Sequence, residues 1–208
     1  QKTAYEICVC DWSSDVCSSD LEGLASLEAY IISKELLVSM MDACLAAGHY
    51  HFHRDAIAAY LASGGKVRVY LHRGYAKRIM STESYFKAGM DMLRPECRAE
   101  LFPAERPVRT KSHADVSTYY GERSVCRNSL AADGCQIEGE VESCIISSDV
   151  RIGRGAKLTN CILMRGCDIG EGVILNNVIA DKYVSVSPYQ TLMGSSSLPI
   201  VIPKNSKI

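Results

Sequence analysis

Val141-Glu-Ser-Cys-Ile-Ile-Ser-Ser-Asp-Val-Arg-Ile-Gly-Arg-Gly-Ala-Lys157 runs directly into Leu158-Thr-Asn-Cys-Ile-Leu-Met-Arg-Gly-Cys-Asp-Ile-Gly-Glu-Gly-Val-Ile174, and the two stretches align at a spacing of 17 residues. A third copy, Leu175-Asn-Asn-Val-Ile-Ala-Asp-Lys-Tyr-Val-Ser-Val-Ser-Pro-Tyr-Gln-Thr191, follows, and a fourth opens at Leu192. Aliphatic residues fall into columns: Val141/Leu158/Leu175/Leu192, Ile145/Ile162/Ile179 and Ile152/Ile169/Val186. Upstream, Cys126-Arg-Asn-Ser-Leu130 to Cys135-Gln-Ile137 fits the same template with two residues fewer. A fixed period this short predicts one coil per repeat in a stacked array, because a single coil cannot bury its own apolar column.

Ile152 and Leu158 are six positions apart, as are Ile169 and Leu175. Each short strand is therefore expected to bury one aliphatic residue. Gly153, Gly155, Gly166, Gly170 and Gly172 stand where corners need left-handed backbone. Ile-Gly-x-Gly at 152–155 and 169–172 resembles the hexapeptide repeat of left-handed parallel β-helices, in which three flat faces make each triangular coil. That hand is taken from the resemblance, since parallel crossovers are otherwise right-handed. Stacked at roughly 4.8 Å per coil, four or five coils give a prism about 20 Å tall. Leu198-Pro-Ile-Val-Ile-Pro203 reads as a last edge strand, with prolines discouraging further pairing.

At 208 residues, 47% hydrophobic and net charge −1, the chain has room for one or two ordinary globular domains. It has no basic excess to suggest nucleic acid and no apolar run of membrane length. Cys135, Cys144, Cys161 and Cys167 fall in repeat columns shared with Val150 and Val178. They are expected to be reduced packing residues in a cytoplasmic protein, not disulfides or metal ligands. No cysteine pair has the C-x-x-C spacing of a zinc site.

Asp11-Trp-Ser-Ser-Asp-Val-Cys-Ser-Ser-Asp-Leu21 fits nothing around it and holds the single tryptophan. It resembles the conceptual translation of a common sequencing adapter, so residues 1–21 are expected to be a non-native segment and are set apart from the fold. From Glu22 the pattern becomes coherent. Leu27-Glu-Ala-Tyr-Ile-Ile32 reads as a buried strand. Ser33 is placed to cap a helix whose Leu36, Leu37, Met40, Met41, Cys44 and Leu45 form one stripe. A second helix is expected from Arg54 to Ala62, a half-exposed strand over Lys66–His72, and a helix from Ser81 or Thr82 to Leu93 that Pro95 closes. Residues 22–94 thus read as an incomplete α/β domain, 95–123 as a linker and 124–208 as the β-helix.

Tyr30-Ile-Ile-Ser-Lys34, His51-Phe-His-Arg-Asp55, Gly74-Tyr75 and Ser84-Tyr-Phe-Lys-Ala-Gly-Met-Asp-Met-Leu93 occur in the order found at the end of the nucleotidyltransferase domain of bacterial ADP-glucose pyrophosphorylases (glucose-1-phosphate adenylyltransferases). The resemblance covers nearly everything from Glu22 to Ile208. Residues 119–139 look most like the GlgD branch, whose members act as regulatory or weakly active partners of a catalytic subunit. It implies a Rossmann-like domain remnant before a left-handed β-helix. It also implies a cytoplasmic hetero-oligomer, a tetramer with a catalytic subunit, that makes ADP-glucose for glycogen.

The resemblance further implies Mg²⁺ in the catalytic subunit and no cofactor here, because the Gly-rich phosphate loop and the sugar-phosphate site lie upstream of the matching segments. Active members carry Gly-Tyr-Trp-Arg-Asp-Val-Gly-Thr, whose Asp helps hold the metal. This chain reads Gly74-Tyr-Ala-Lys-Arg78-Ile-Met-Ser-Thr82, and a guanidinium has no lone pair for Mg²⁺. No catalytic residue is therefore assigned. Sugar-phosphate effectors bind near the domain junction in the family, which makes Arg106, Arg109, Lys111 and Arg123, with Arg127 nearby, the candidate effector residues. His49-x-His51-x-His53 has a metal-like spacing but reads better as a turn after a capped helix. All five histidines lie at or before His113, so 124–208 has none to serve as an acyltransferase base or an anhydrase zinc ligand. Two alternatives stay open: a full-length protein that is itself catalytic, and a purely structural β-helix that assembles oligomers.

Overall fold

A computed structural model describes residues 29–109 and 116–208. The expected non-native segment 1–21 and the candidate effector residue Lys111 lie outside these residues. The chain divides into two compact units between Ala76 and Lys77.

Among the described residues, fifteen short strands of the second unit stack into three parallel sheets, one strand of each sheet per coil. The first sheet holds β1 (Tyr119–Tyr120), β4 (Gln136–Ile137), β7 (Arg151–Ile152), β10 (Asp168–Ile169) and β13 (Ser185–Val186). The second holds β2 (Val125–Arg127), β5 (Glu140–Glu142), β8 (Lys157–Thr159), β11 (Ile174–Asn176) and β14 (Thr191–Met193). The third holds β3 (Leu130–Ala131), β6 (Ile145–Ile146), β9 (Ile162–Leu163), β12 (Val178–Ala180) and β15 (Ile200–Ile202). Register follows the repeat: Val141 pairs with Leu158, and Leu175 with both Leu158 and Leu192. The spacing drops to 15 residues between Val125 and Glu140 and widens to 22 between Ile179 and Val201, where a loop follows β14. The first strand begins at Tyr119, inside the stretch expected to be linker.

Inward columns fill the prism: Ile137/Ile152/Ile169/Val186, Val141/Leu158/Leu175 and Ile146/Leu163/Ala180/Ile202. Cys135 and Cys167 alternate with Val150 and Val184, and Cys144 and Cys161 precede Val178. All four cysteines are free, and each thiol donates to a backbone carbonyl, such as Ser147 O at 3.1 Å for Cys135 and Asp181 O at 3.1 Å for Cys167. Small apolar side chains with a weak donor suit these corners, where a carbonyl lies within reach. Between the second and third sheets, Asn128, Ser143, Asn160 and Asn177 take the corner with φ of 44, 53, 51 and 50°. Asparagine tolerates that left-handed conformation better than most residues.

One column differs from expectation. Ile145, Ile162 and Ile179 point outward, because strand alternation gives the inward place on the third sheet to Ile146, Leu163 and Ala180. They are covered by α3 (Thr82–Asp91), whose Phe86 is buried against Ile162 and Ile179. Ser81 caps this helix in a reciprocal capping box with Ser84. Pro95 does more than close it: it opens a further helix, α4 (Pro95–Leu101), where a missing N–H costs nothing.

In the first unit, Ser33 caps α1 (Lys34–Ala46) as its sequence predicts, accepting from the Leu36 N–H at 3.3 Å. A π-helical turn at Phe52–Ala56 leads into α2 (Ile57–Ala62). Met40, Cys44, Ala56 and Ile57 form a small core edged by Tyr30, Ile32 and Val67. Of the α1 stripe, Leu37, Met41 and Leu45 stay exposed. The expected strand at Lys66–His72 does not form, and of the 27–32 strand only Tyr30 makes a bridge among the described residues. An extended segment becomes a strand only when a neighbour takes its N–H and C=O groups.

Candidate functional site

The strands of the first two sheets are joined by corners of four residues at 121–124 and 153–156, but of two at 138–139. The shortened coil leaves a notch of about 670 Å³ between the two longer corners. Gly139 makes the tight turn possible: a Cβ there would lie 2.5 Å from the Ala156 carbonyl oxygen and 3.0 Å from that of Gly153. Arg123 and Arg154 flank the notch, with Glu122, Glu138 and Glu140. Arg154 Nε lies 3.6 Å from Glu138 Oε2, and Lys157 Nζ lies 3.6 Å from Glu140 Oε2. Carboxylates thus outnumber guanidiniums here, and Arg154 is partly engaged.

Of the candidate effector residues, Arg123 lines the notch, whereas Arg106 and Arg109 do not. Arg106 sits in a turn after α4, its N–H donating to Pro103 O at 3.0 Å, and both it and Arg109 are exposed. Arg127 lies on β2, on the neighbouring sheet face. The residue that sequence reasoning missed is Arg154, which comes beside Arg123 through stacking across 31 positions. Its signal was present in the two-residue deficit of the coil at 126–137, which recesses the corner between them.

Arg78 lies in the exposed segment that leads into α3. Its neighbour Lys77 holds Asp91 at 3.2 Å, across the length of the helix. Among the described residues no three His, Cys, Asp or Glu side chains converge as metal ligands. With a guanidinium at position 78, the residues present do not fit a Mg²⁺ ion. The histidine cluster gives no closer approach to a metal site. Asp55, its nearest carboxylate, is occupied by the His51 N–H at 3.2 Å and the Arg54 guanidinium at 3.2 Å. Desolvation works against the Asp55 carboxylate, but these partners hold it below the ordinary range. Three of the coil cysteines, Cys135, Cys144 and Cys167, are equally unsuited to nucleophilic work, whereas the hydrogen bond with Cys144 lowers the fully buried Cys161 thiol. Burial pushes the Cys135 and Cys167 thiols up, and the Cys161 hydrogen bond followed by burial does the same for Cys144.

Among the described residues no helix is long and apolar enough to cross a membrane. A family model described as GlmU-like, C-terminal hexapeptide, matches residues 113–196. Over 179 residues the chain is 36% identical to "Glycogen biosynthesis protein GlgD" of Bacillus subtilis (strain 168), covering 86% of this chain and 52% of the relative. Over 158 residues it is 30% identical to "Glucose-1-phosphate adenylyltransferase" of Desulfitobacterium hafniense (strain DSM 10664 / DCB-2), covering 75% of this chain and 40% of the relative. A protein of the same name from Bacillus cytotoxicus is 30% identical over 181 residues, 86% of this chain and 48% of the relative. The chain therefore spans about half the length of the relatives it matches.

Proposed function

We propose, because this chain belongs to the bacterial glucose-1-phosphate adenylyltransferase family that includes GlgD, that it is the C-terminal part of a GlgD-like subunit serving glycogen biosynthesis. In this reading it supports ADP-glucose synthesis through assembly and regulation, in the cytoplasm, without itself catalysing the transfer. Its partner is a catalytic adenylyltransferase subunit in a hetero-oligomer, and the Mg²⁺ belongs to that subunit.

The observation that carries the reading is Arg78. Where active members of the family place a metal-binding carboxylate, this chain has a guanidinium that repels a divalent cation instead of holding it. The histidine-free coils favour the same side, since they supply neither a general base nor zinc ligands. A sugar-phosphate effector is proposed to meet Arg123 at the notch, with Arg106, Arg109 and Lys111 as further candidates near the junction.

The test is co-expression of the full-length subunit with its catalytic partner, followed by assay of ADP-glucose formation with and without sugar phosphates. Turnover or effector response is expected to change when the subunit is present. If neither moves, the regulatory role is wrong. Full-length protein making ADP-glucose alone at a normal rate would instead establish it as catalytic.

A further inference from the structure

On the third sheet the outward aliphatic column runs Ile145, Ile162, Ile179, Val201, one residue per coil, because these positions are in register. Helix α3 covers the first three and stops short of the last. Val201 is left 50% exposed, together with Ile79 (55%) and Met80 (67%) from the segment before the helix. These three, with Met164 and Ile179, line a groove of about 550 Å³ whose one charged lining side chain is Asp181. A solvent-facing aliphatic column normally ends at a cap or at a partner.

The backbone beside the groove is open as well. β15 is the edge strand of its sheet. Its Ile200 N–H donates to Asn177 O at 3.1 Å and its Ile202 carbonyl accepts from Asp181 N–H at 3.0 Å, both toward the preceding coil. By alternation the N–H and C=O of Val201 face the other way. The first sheet ends differently: beyond β13 the chain returns, and the Ile208 N–H donates to Ser185 O at 3.0 Å. Among the described residues no strand does this for β15.

We infer that the groove and the edge of β15 together form a docking site for an extended segment of a partner protein, apolar where it lies along Val201 and basic where it meets Asp181. Strand addition supplies main-chain hydrogen bonds to Val201, the groove takes an aliphatic side chain, and the Asp181 carboxylate selects a lysine or arginine. The site stands on these residues alone and does not depend on the family reading.

The probe is the peptide acetyl-Lys-Val-Thr-Val-Lys-amide, titrated to millimolar concentration into the isotope-labelled chain, with acetyl-Glu-Val-Thr-Val-Glu-amide as its control. The basic peptide is expected to shift the amide resonances of 79–81, 179–181 and 200–202 and no others. Asp181→Lys should weaken it roughly tenfold, the scale of one lost charge-assisted contact, and favour the acidic peptide. Val201→Pro removes an outward N–H along with the Val201 side chain, so the coil should stay folded by circular dichroism while binding is lost, and Val201→Ala, which keeps the N–H, should bind more weakly but still detectably. Equal binding of both peptides, shifts elsewhere, or none at all would overturn the proposal. So would concentration-dependent shifts of the same residues without peptide, which would show that a second copy covers this face.

Discussion

At Gly139 the backbone of one corner runs against the next so closely that even a methyl group has no place. Gly139→Ala sets its Cβ 2.5 Å from a backbone oxygen that cannot turn aside. A loss of about 1–3 kcal/mol is expected, the usual range for overpacking. Gly155, at φ +67° but with nothing within 4 Å of its missing Cβ, should cost only about 1 kcal/mol as alanine. Paired thermal melts of the two variants check this, and equal losses would refute the close-approach argument. The coil cysteines carry a pH signature. Burial raises the Cys135 and Cys167 thiols above their ordinary 9.0, whereas in the unfolded chain they ionise at that value. Their contribution to stability is therefore complete below pH 9.0 and declines as pH rises past it. The thermal midpoint should fall in that range, and replacing both by valine, the residue at Val150 and Val184 in the same column, should flatten the fall. That column was readable in the sequence, since Cys and Val exchange at one position of the repeat.

Among the elements, α3 shows how far local sequence reaches. Ser81 or Thr82 and the apolar spacing announce a helix and its start; the structure begins it at Thr82 with Ser81 as the cap, adds the reciprocal bond from Ser84, and ends it at Asp91, two residues short of Leu93. Nothing local says which surface receives Phe86. The outward column of the third sheet does so because β-strand alternation leaves three isoleucines facing away from the prism. Gly89 allows the approach, as a Cβ there would meet the Ile162 Cδ1 at 2.6 Å. Phe86→Ala is expected to speed amide hydrogen exchange across 82–91 while the coils at 136–186 keep their protection. Exchange that rises everywhere would mean that the helix is integral to the coil stack. Ser81→Ala should cost about 1 kcal/mol by removing the cap, read from the same exchange rates. The strand expected at Lys66–His72 failed for a complementary reason. Its sequence alternates, which would set Val67, Val69 and Leu71 on one face, but only Val67 packs on the small core while Val69 and Leu71 stay exposed, because alternation prepares a face and does not provide a partner.

Across the whole molecule the two units are unequal. Twenty buried side chains make one continuous column in the coils, against four described ones in the first unit. Unfolding is therefore expected in two steps on heating, with the helical signal of the first unit lost before the coils melt. One coincident transition by circular dichroism and hydrogen exchange would contradict this. Within the stack each coil rests on its neighbours, so position decides cost. Leu158→Ala, in a coil covered on both sides, should lose about 2–5 kcal/mol in urea titrations. Leu192→Ala, on the edge strand β14, should lose less.

The coil follows from the order of the amino acids alone. A 17-residue period with aliphatic columns buries those residues by stacking, and the free cysteines and the helix caps follow from rules that act over a few residues. Of the glycines expected in left-handed corners, Gly155, Gly166 and Gly172 have positive φ, whereas Gly153 and Gly170 do not and instead allow close backbone approach, and asparagines take other corners. That Arg78 offers no lone pair to a divalent cation was also legible, because it concerns the chemistry of one side chain. Which residues lie beside which depends on the stacking of the coils. It placed the outward isoleucines under α3, recessed the corner at Gly139 so that Arg123 and Arg154 face one notch, and left Val201 at an open edge beside Asp181. Those neighbours are brought together by stacking, and stacking joins residues one or more coils apart whose sequences carry no mark of each other.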